Sequence, residues 1–182
     1  MIALGESDGH VVDMFRDKLL EAINQFVEYP REKWIDMFVA QFDITAGQVW
    51  WTTEVNAAFD RLEQGNEGAL KDYAATVASG LAGLTAMVLG ELTRGDRTKI
   101  KTLITIEVHA RDVLNRLVSE RVDQASSFQW QSQLKQRWVE KEEAGLPVTA
   151  TEIHVCDAHF EYGFEYLGNG PRLVVTPLTD RI

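Results

Sequence analysis

The feature that most constrains this chain is a change of hydrophobic period. Up to Gly145, apolar side chains recur every three or four positions; from Thr149 they recur every second one. The first spacing writes one face of an α-helix and the second one face of a strand. The expected fold is therefore mainly α, a bundle of five to six helices followed by a small antiparallel β segment.

The helical part divides at its own punctuation. Val12, Phe15, Leu19, Ile23 and Phe26 predict a helix over 11–29, which Pro30 ends. The stretch "PREKWIDMFVAQF" predicts a second helix with Trp34 inward, and Trp51, Val55, Phe59 and Leu62 a third from about Ile44, with Gly65 as its left-handed cap. Leu70, Tyr73, Val77, Leu81, Leu84 and Val88 form the stripe of a fourth. Asp96 reads as the N-cap of a fifth. Within it "TLITIEV" is rich in β-branched residues, yet helical phase continues on both sides, so helix is expected. The segment "SSFQWQSQLKQRWVEKEEAG" predicts a sixth, capped by Ser126 or Ser127, with Trp130, Leu134 and Trp138 on one stripe. In the β part Ile153 and Val155 hold odd positions, whereas Ala158, Phe160, Tyr162, Phe164 and Tyr166 hold even ones, so a β-bulge is expected near Val155 and Cys156. Beyond "GNG", Leu173, Val174 and Val175 form an apolar run fenced by Pro171 and Pro177.

Charge and composition exclude several partners. With 182 residues, 45% of them hydrophobic, the chain is long enough to bury a core. A net charge of -10 argues against nucleic acid or an anionic membrane as a direct partner. A single cysteine, Cys156, excludes an internal disulfide framework and fits a reducing compartment. The opening residues lack a signal-peptide pattern and "GLAGLTAMVLG" is too short to cross a bilayer, so a soluble intracellular chain is expected.

No complete catalytic or metal site is written here. "HVCDAH" offers His154, Cys156, Asp157 and His159 as metal ligands, but strand alternation places His154 and His159 on opposite sides, and no second ligand cluster exists. "EVHARD" offers Glu107, His109, Arg111 and Asp112 as an acid/base set. At helical spacing, Glu107 with Arg111 and His109 with Asp112 read more simply as surface pairs. The five tryptophans read as core or docking residues more readily than as a ligand cage. Leu173 stands where GxGxxG needs its third glycine, and no GxxxxGK[ST] occurs.

"PREKW", "QVWWTTEV", "KTLITIEVHARDV", "FQWQSQLKQRW" and "FEYGFEYLGNGPRLVVTPLTDR" together resemble the dynein heavy chains, and "WWTTEV" is most similar to the axonemal outer-arm β type. The resemblance runs from about Tyr29 onward. It implies a division into the C-terminal helical part of the linker (1–148), a β segment joining linker to ring (149–170), and the start of the first AAA+ module (171–182). It implies a fragment that is not itself an enzyme, within an ATP-hydrolysing, minus-end-directed microtubule motor of the ciliary or flagellar axoneme. Leu173, Val174, Val175, Pro177 and Leu178 would form the adenine slot for ATP, with Mg held by residues beyond Ile182 and no cofactor on the fragment alone. The implied partners are the AAA+ ring of the same heavy chain and, through other parts of it, intermediate chains, light chains and microtubules. From the residues alone, a free-standing acidic helical scaffold, or a small hydrolase using Glu107 and His109, stays open.

Overall fold

Among the described residues six helices precede three strands: α1 (Glu6–Gln25), α2 (Arg31–Met37), α3 (Ala40–Glu63), α4 (Ala69–Val88), α5 (Arg94–Ser119), α6 (Phe128–Gln131), β1 (Lys135–Glu143), β2 (Leu146–Val155) and β3 (Ala158–Glu161). This computed structural model describes residues 6–143 and 146–164. Among the described residues the strands form one antiparallel sheet of order β1-β2-β3, so the α+β class agrees with the sequence reading.

Apolar stripes build the body. The predicted face of α4 is realised in buried Leu70, Leu81 and Leu84, and that of α5 in Ile100, Leu103, Leu114 and Leu117. The β-branched run of α5 stays helical because its apolar stripe is buried, and Thr98, Thr102 and Thr105 satisfy their hydroxyls on the carbonyls of Arg94, Thr98 and Lys101. Among the described residues two apolar clusters result. One gathers Trp51, Val55, Phe59, Leu114, Leu117 and Trp130; the other gathers Leu19, Trp34, Ile35, Leu84, Ile100 and Leu103. Helices α3 and α5 contribute to both.

Helix ends follow cap chemistry. Gly65, at φ +97°, ends α3: its N–H bonds to Leu62 O while the Asn66 N–H reaches Arg61 O. The same double bond ends α5, but there Arg121 holds the left-handed position at φ 54°. At the other end of α5 the cap is Thr93, not Asp96. Thr93 Oγ1 accepts the Asp96 N–H and donates to Asp96 Oδ2, so Asp96 is the reciprocal partner three residues inside.

Further expectations need correction, the first being that α1 ends at Gln25, short of the expected 29. The second helix stops at Met37, because Phe38 and Val39 are extended, and α3 begins at Ala40 instead of Ile44. No glycine or proline marks that break. The predicted sixth helix is real only over Phe128–Gln131, and strand β1 begins at Lys135. Its Lys-, Gln- and Glu-rich sequence favours helix locally, but β2, carrying Val148, Thr149, Thr151, Ile153 and Val155, supplies a ladder along the whole of β1. Leu134 is consequently exposed. Finally, the phase change in the β part is a two-residue hairpin turn at Cys156 and Asp157, not a bulge. Ile153 pairs with Phe160 and Val155 with Ala158, so odd positions before the turn share a face with even positions after it.

Candidate functional site

The most constructed region is the elbow between α2 and α3, where α5 grips both ends of a short helix. Glu107 accepts a hydrogen bond from Arg31, in the first turn of α2, at 2.5 Å. Eight residues earlier on α5, about 12 Å along the helix axis, the Lys99 ammonium donates to Ile35 O and Phe38 O at the other end of α2. Lys99 also lies 2.8 Å from Asp43 Oδ2 in the first turn of α3. Carbonyls left open at a helix C-terminus attract a cation, and the break at Phe38 and Val39 leaves those carbonyls free for Lys99. A tertiary contact therefore stands where a glycine or proline would ordinarily be.

The elbow is buried, and burial sets its electrostatics. Asp43 is 0% exposed, and desolvation raises its carboxyl from 3.8 to about 7, against the opposing pull of Lys99 and Arg31. Burial likewise raises the Tyr73 hydroxyl, with Glu54 and Glu107 adding to the effect. The Arg31 guanidinium lies over Phe26 and Trp34, 4.7 and 4.8 Å from the ring centres.

Beside the elbow a cavity of about 610 Å³ opens among α2, α3, α4 and α5. Phe26, Trp50, Trp51 and Tyr73 supply its aromatic wall, and Arg31, Asp43 and Glu107 reach it from the clamp. The end of the sheet returns to the same part of the body. Gln41 Nε2 donates to the Tyr162 hydroxyl at 2.8 Å, Thr45 lies 3.5 Å from that oxygen, and Phe164 packs on the elbow cluster. The first strand is tied to α3 by a bond from the Gln136 N–H to Thr52 Oγ1.

The candidates read from sequence fare unequally. Glu107 belongs to the elbow, and its partner is Arg31, not Arg111; Arg111 binds Asp112 instead, at 2.7 Å. His109 is exposed on another side of α5, so the acid/base pair is not assembled. His154 and His159 are direct cross-strand partners with stacked rings 5.8 Å apart, which corrects their expected separation and follows from the two-residue turn. His154 Nε2 lies 2.9 Å from Glu152 Oε2, and hydrogen bonds from Lys141 and then His154 hold that carboxyl below its usual range. Even so, among the described residues no three of these ligand types converge on a metal-sized space. Leu173, Val174, Val175, Pro177 and Leu178 lie outside the described residues.

Arg31, Asp43, Lys99 and Tyr162 were not singled out by sequence reasoning. A signal existed for two members of the clamp: Lys99 and Glu107 stand four residues either side of Leu103, and so interrupt a buried stripe with opposite charges.

The described residues thus define a class: a helical body with a charge-clamped elbow and a small sheet docked on it. Comparison with known proteins shows what the chain is similar to. Over 173 residues, 95% of its length, the chain is 46% identical to dynein axonemal heavy chain 9 of Homo sapiens. Over 166 residues, 91% of its length, it is 50% identical to dynein axonemal heavy chain 11 of Sus scrofa and 47% identical to the ciliary dynein beta chain of Tripneustes gratilla. The chain spans about 4% of the length of each. A scan against models of protein families finds no match. By sequence the chain is similar to a small part of the axonemal dynein heavy chains, beta chains included.

Proposed function

We propose that this chain is a mechanical segment of a microtubule motor in the axoneme of a cilium or flagellum. In this reading 1–148 is the C-terminal part of the linker, 149–170 joins it to the ring, and 171–182 opens the first AAA+ module. The observation that carries the proposal is the identity of 46–50% to axonemal dynein heavy chains over 91–95% of the chain. The construction of the elbow supports it: a lever must keep its angle under load, and directional ion pairs specify an angle where apolar packing alone specifies mainly a volume.

ATP is then the motor's substrate, and its phosphates and Mg are held by residues outside this chain. Leu173, Val174, Val175, Pro177 and Leu178 act only through the shape of the adenine slot, since none has a side-chain proton donor or acceptor. The AAA+ ring of the same heavy chain is the direct partner, and microtubules, intermediate chains and light chains are engaged elsewhere.

The test is a chimera in which this chain replaces the matching segment of the Tripneustes gratilla ciliary beta chain. Microtubule gliding should be retained. Adding Pro177→Gly should raise KM for ATP more than it lowers kcat, as loss of uniform binding predicts. A chimera that turns over ATP normally but does not move microtubules would exclude the mechanical role. Abolished turnover with unchanged ATP affinity in Pro177→Gly would exclude the adenine-slot role.

A further inference from the structure

The cavity beside the elbow is long for its volume. Its lining follows α3 from Ile44 to Arg61, about 26 Å at the rise of a helix, and α4 faces it from Gly80 back to Ala69. Spread over that length, about 610 Å³ gives a cross-section of roughly 23 Å², far narrower than a whole helix at about 10–12 Å across. The space is a groove for a row of side chains. Two glycines lower its walls: a Cβ at Gly47 on α3 would stand 3.6 Å from Arg31 Nη2, and one at Gly80 on α4 3.7 Å from Glu107 Oε2. The Arg31–Glu107 pair thus spans the groove between the two helices.

Several apolar side chains in this groove remain within reach of a visitor. Phe26, Trp50, Tyr73, Val77 and Ile106 line it and are only half-buried, and Val27 at the elbow end is 65% exposed. Trp50 Nε1 is already spent on Ile23 O, at 2.7 Å, so what that ring offers is apolar surface. The charges along the lips are unbalanced. Arg31 is paired with Glu107 and Asp43 with Lys99, which leaves Glu54 and Asp72 against Arg61 at the far end. Arg31 takes Glu107 Oε1, while Oε2 of that carboxylate faces Gly80. Burial, and then the fields of Glu54 and Glu107, raise the Tyr73 hydroxyl, so negative potential reaches the middle of the groove.

We infer that this groove docks an amphipathic helix of a basic partner protein, whose apolar side chains enter in a row while its lysines and arginines reach Glu54, Asp72 and the second oxygen of Glu107. The stripe of such a helix advances about 5.4 Å per turn, so a groove of about 26 Å receives about five turns. Apolar grooves with aromatic floors are where amphipathic helices seat, and the acidic lips choose the sign of the helix's flanks. A second copy does not meet that requirement, because each chain carries a net charge of -10. Such docking is independent of the motor reading.

The probe is a fluorescein-labelled peptide of about 17 residues, with leucines at i, i+3, i+4 and i+7 spacing and lysines elsewhere, titrated with the 182-residue chain and read by fluorescence anisotropy. Half-saturation is expected near about 10 µM. The same peptide with glutamates for its lysines should bind at least about tenfold more weakly, and one of equal composition with its leucines scattered at least about fivefold. Glu54→Lys should weaken binding more than about fivefold, whereas Glu140→Lys, the same change of charge on exposed β1, should weaken it less than about twofold. Equal binding of the scattered peptide, or equal losses in the two variants, would show general attraction to an acidic surface and overturn the proposal. So would a chain that sediments as a dimer and is made monomeric by the peptide, since a second copy would then be the occupant. If Glu54→Lys does not fold, intermolecular NOEs in the wild-type complex decide the matter: contacts from the leucine methyls to Trp50 and Val77 support the groove, and their absence with saturable binding places the peptide elsewhere and overturns it.

Discussion

The two ends of the helical body share α3 and α5 but are held differently. Around Trp130 most side chains are apolar and interlock by shape: Trp51 meets Trp130 edge-on at 5.2 Å, Phe59 lies 6.2 Å from the same ring, and the buried Lys135 ammonium, which stays charged well above neutral pH, lies over it at 5.7 Å. Around the elbow, apolar packing is threaded by Lys99, Asp43, Arg31 and Glu107, whose contacts have direction as well as energy. The first end should be sensitive to volume and indifferent to pH. The second should be sensitive to both, and its geometry is the more specific. A body built in this way has one end that anchors and another whose angle is set by a few replaceable charges.

Removing volume from the apolar end should have the largest effect. Phe59 is 0% exposed, and Phe59→Ala should destabilise the chain by about 3–5 kcal/mol in urea unfolding, with little change between pH 5 and 8. A loss much smaller than this, or one strongly dependent on pH, would erase the distinction between the two ends.

At the elbow, Lys99→Met should cost about 3 kcal/mol at pH 8, because it strands a buried carboxylate together with the carbonyls of Ile35 and Phe38. The cost should shrink at pH 5. Asp43 titrates near 7 in the folded chain against an ordinary 3.8, so the folded state holds this proton more tightly than the unfolded one. Its contribution to stability is therefore full below about 3.8 and is lost as pH rises through 7. Unfolding free energies of the wild type and Asp43→Asn, measured from pH 4 to 8, should differ by an amount that changes across this window. A constant difference would show that Asp43 does not titrate there.

The smallest expected effect sharpens the comparison from the apolar end. Arg121 occupies at the end of α5 the left-handed position that Gly65 occupies at the end of α3. Arg121→Gly should relieve that conformation and raise stability by about 1 kcal/mol, read as a higher urea midpoint with an unchanged slope. Destabilisation instead would mean that the Arg121 side chain makes an unrecognised contribution at this end.

Much of the fold was legible because it is written locally. The stripes of α4 and α5, the cap at Gly65 and the alternation from Thr149 each depend on neighbours within a few positions, where periodicity and cap chemistry act. The candidate site was less legible. Glu107 was noticed as a charge on a helix, yet the pairing that matters spans 76 positions to Arg31, and the Lys99 contact with Ile35 spans 64. Spacing along one helix could suggest only Arg111.

By itself, then, the sequence determined the helical stripes, the succession of helix and strand, the acidic character of the surface and the resemblance to dynein heavy chains. Tertiary structure alone decided that β1 is a strand, that the chain breaks at Phe38 and Val39, and that His154 meets His159. The physical reason is common to all three. Helix propensities differ by only about 0.7 kcal/mol per ordinary residue, whereas a paired ladder, or a buried ammonium on free carbonyls, brings together groups from distant parts of the chain and outweighs those local preferences.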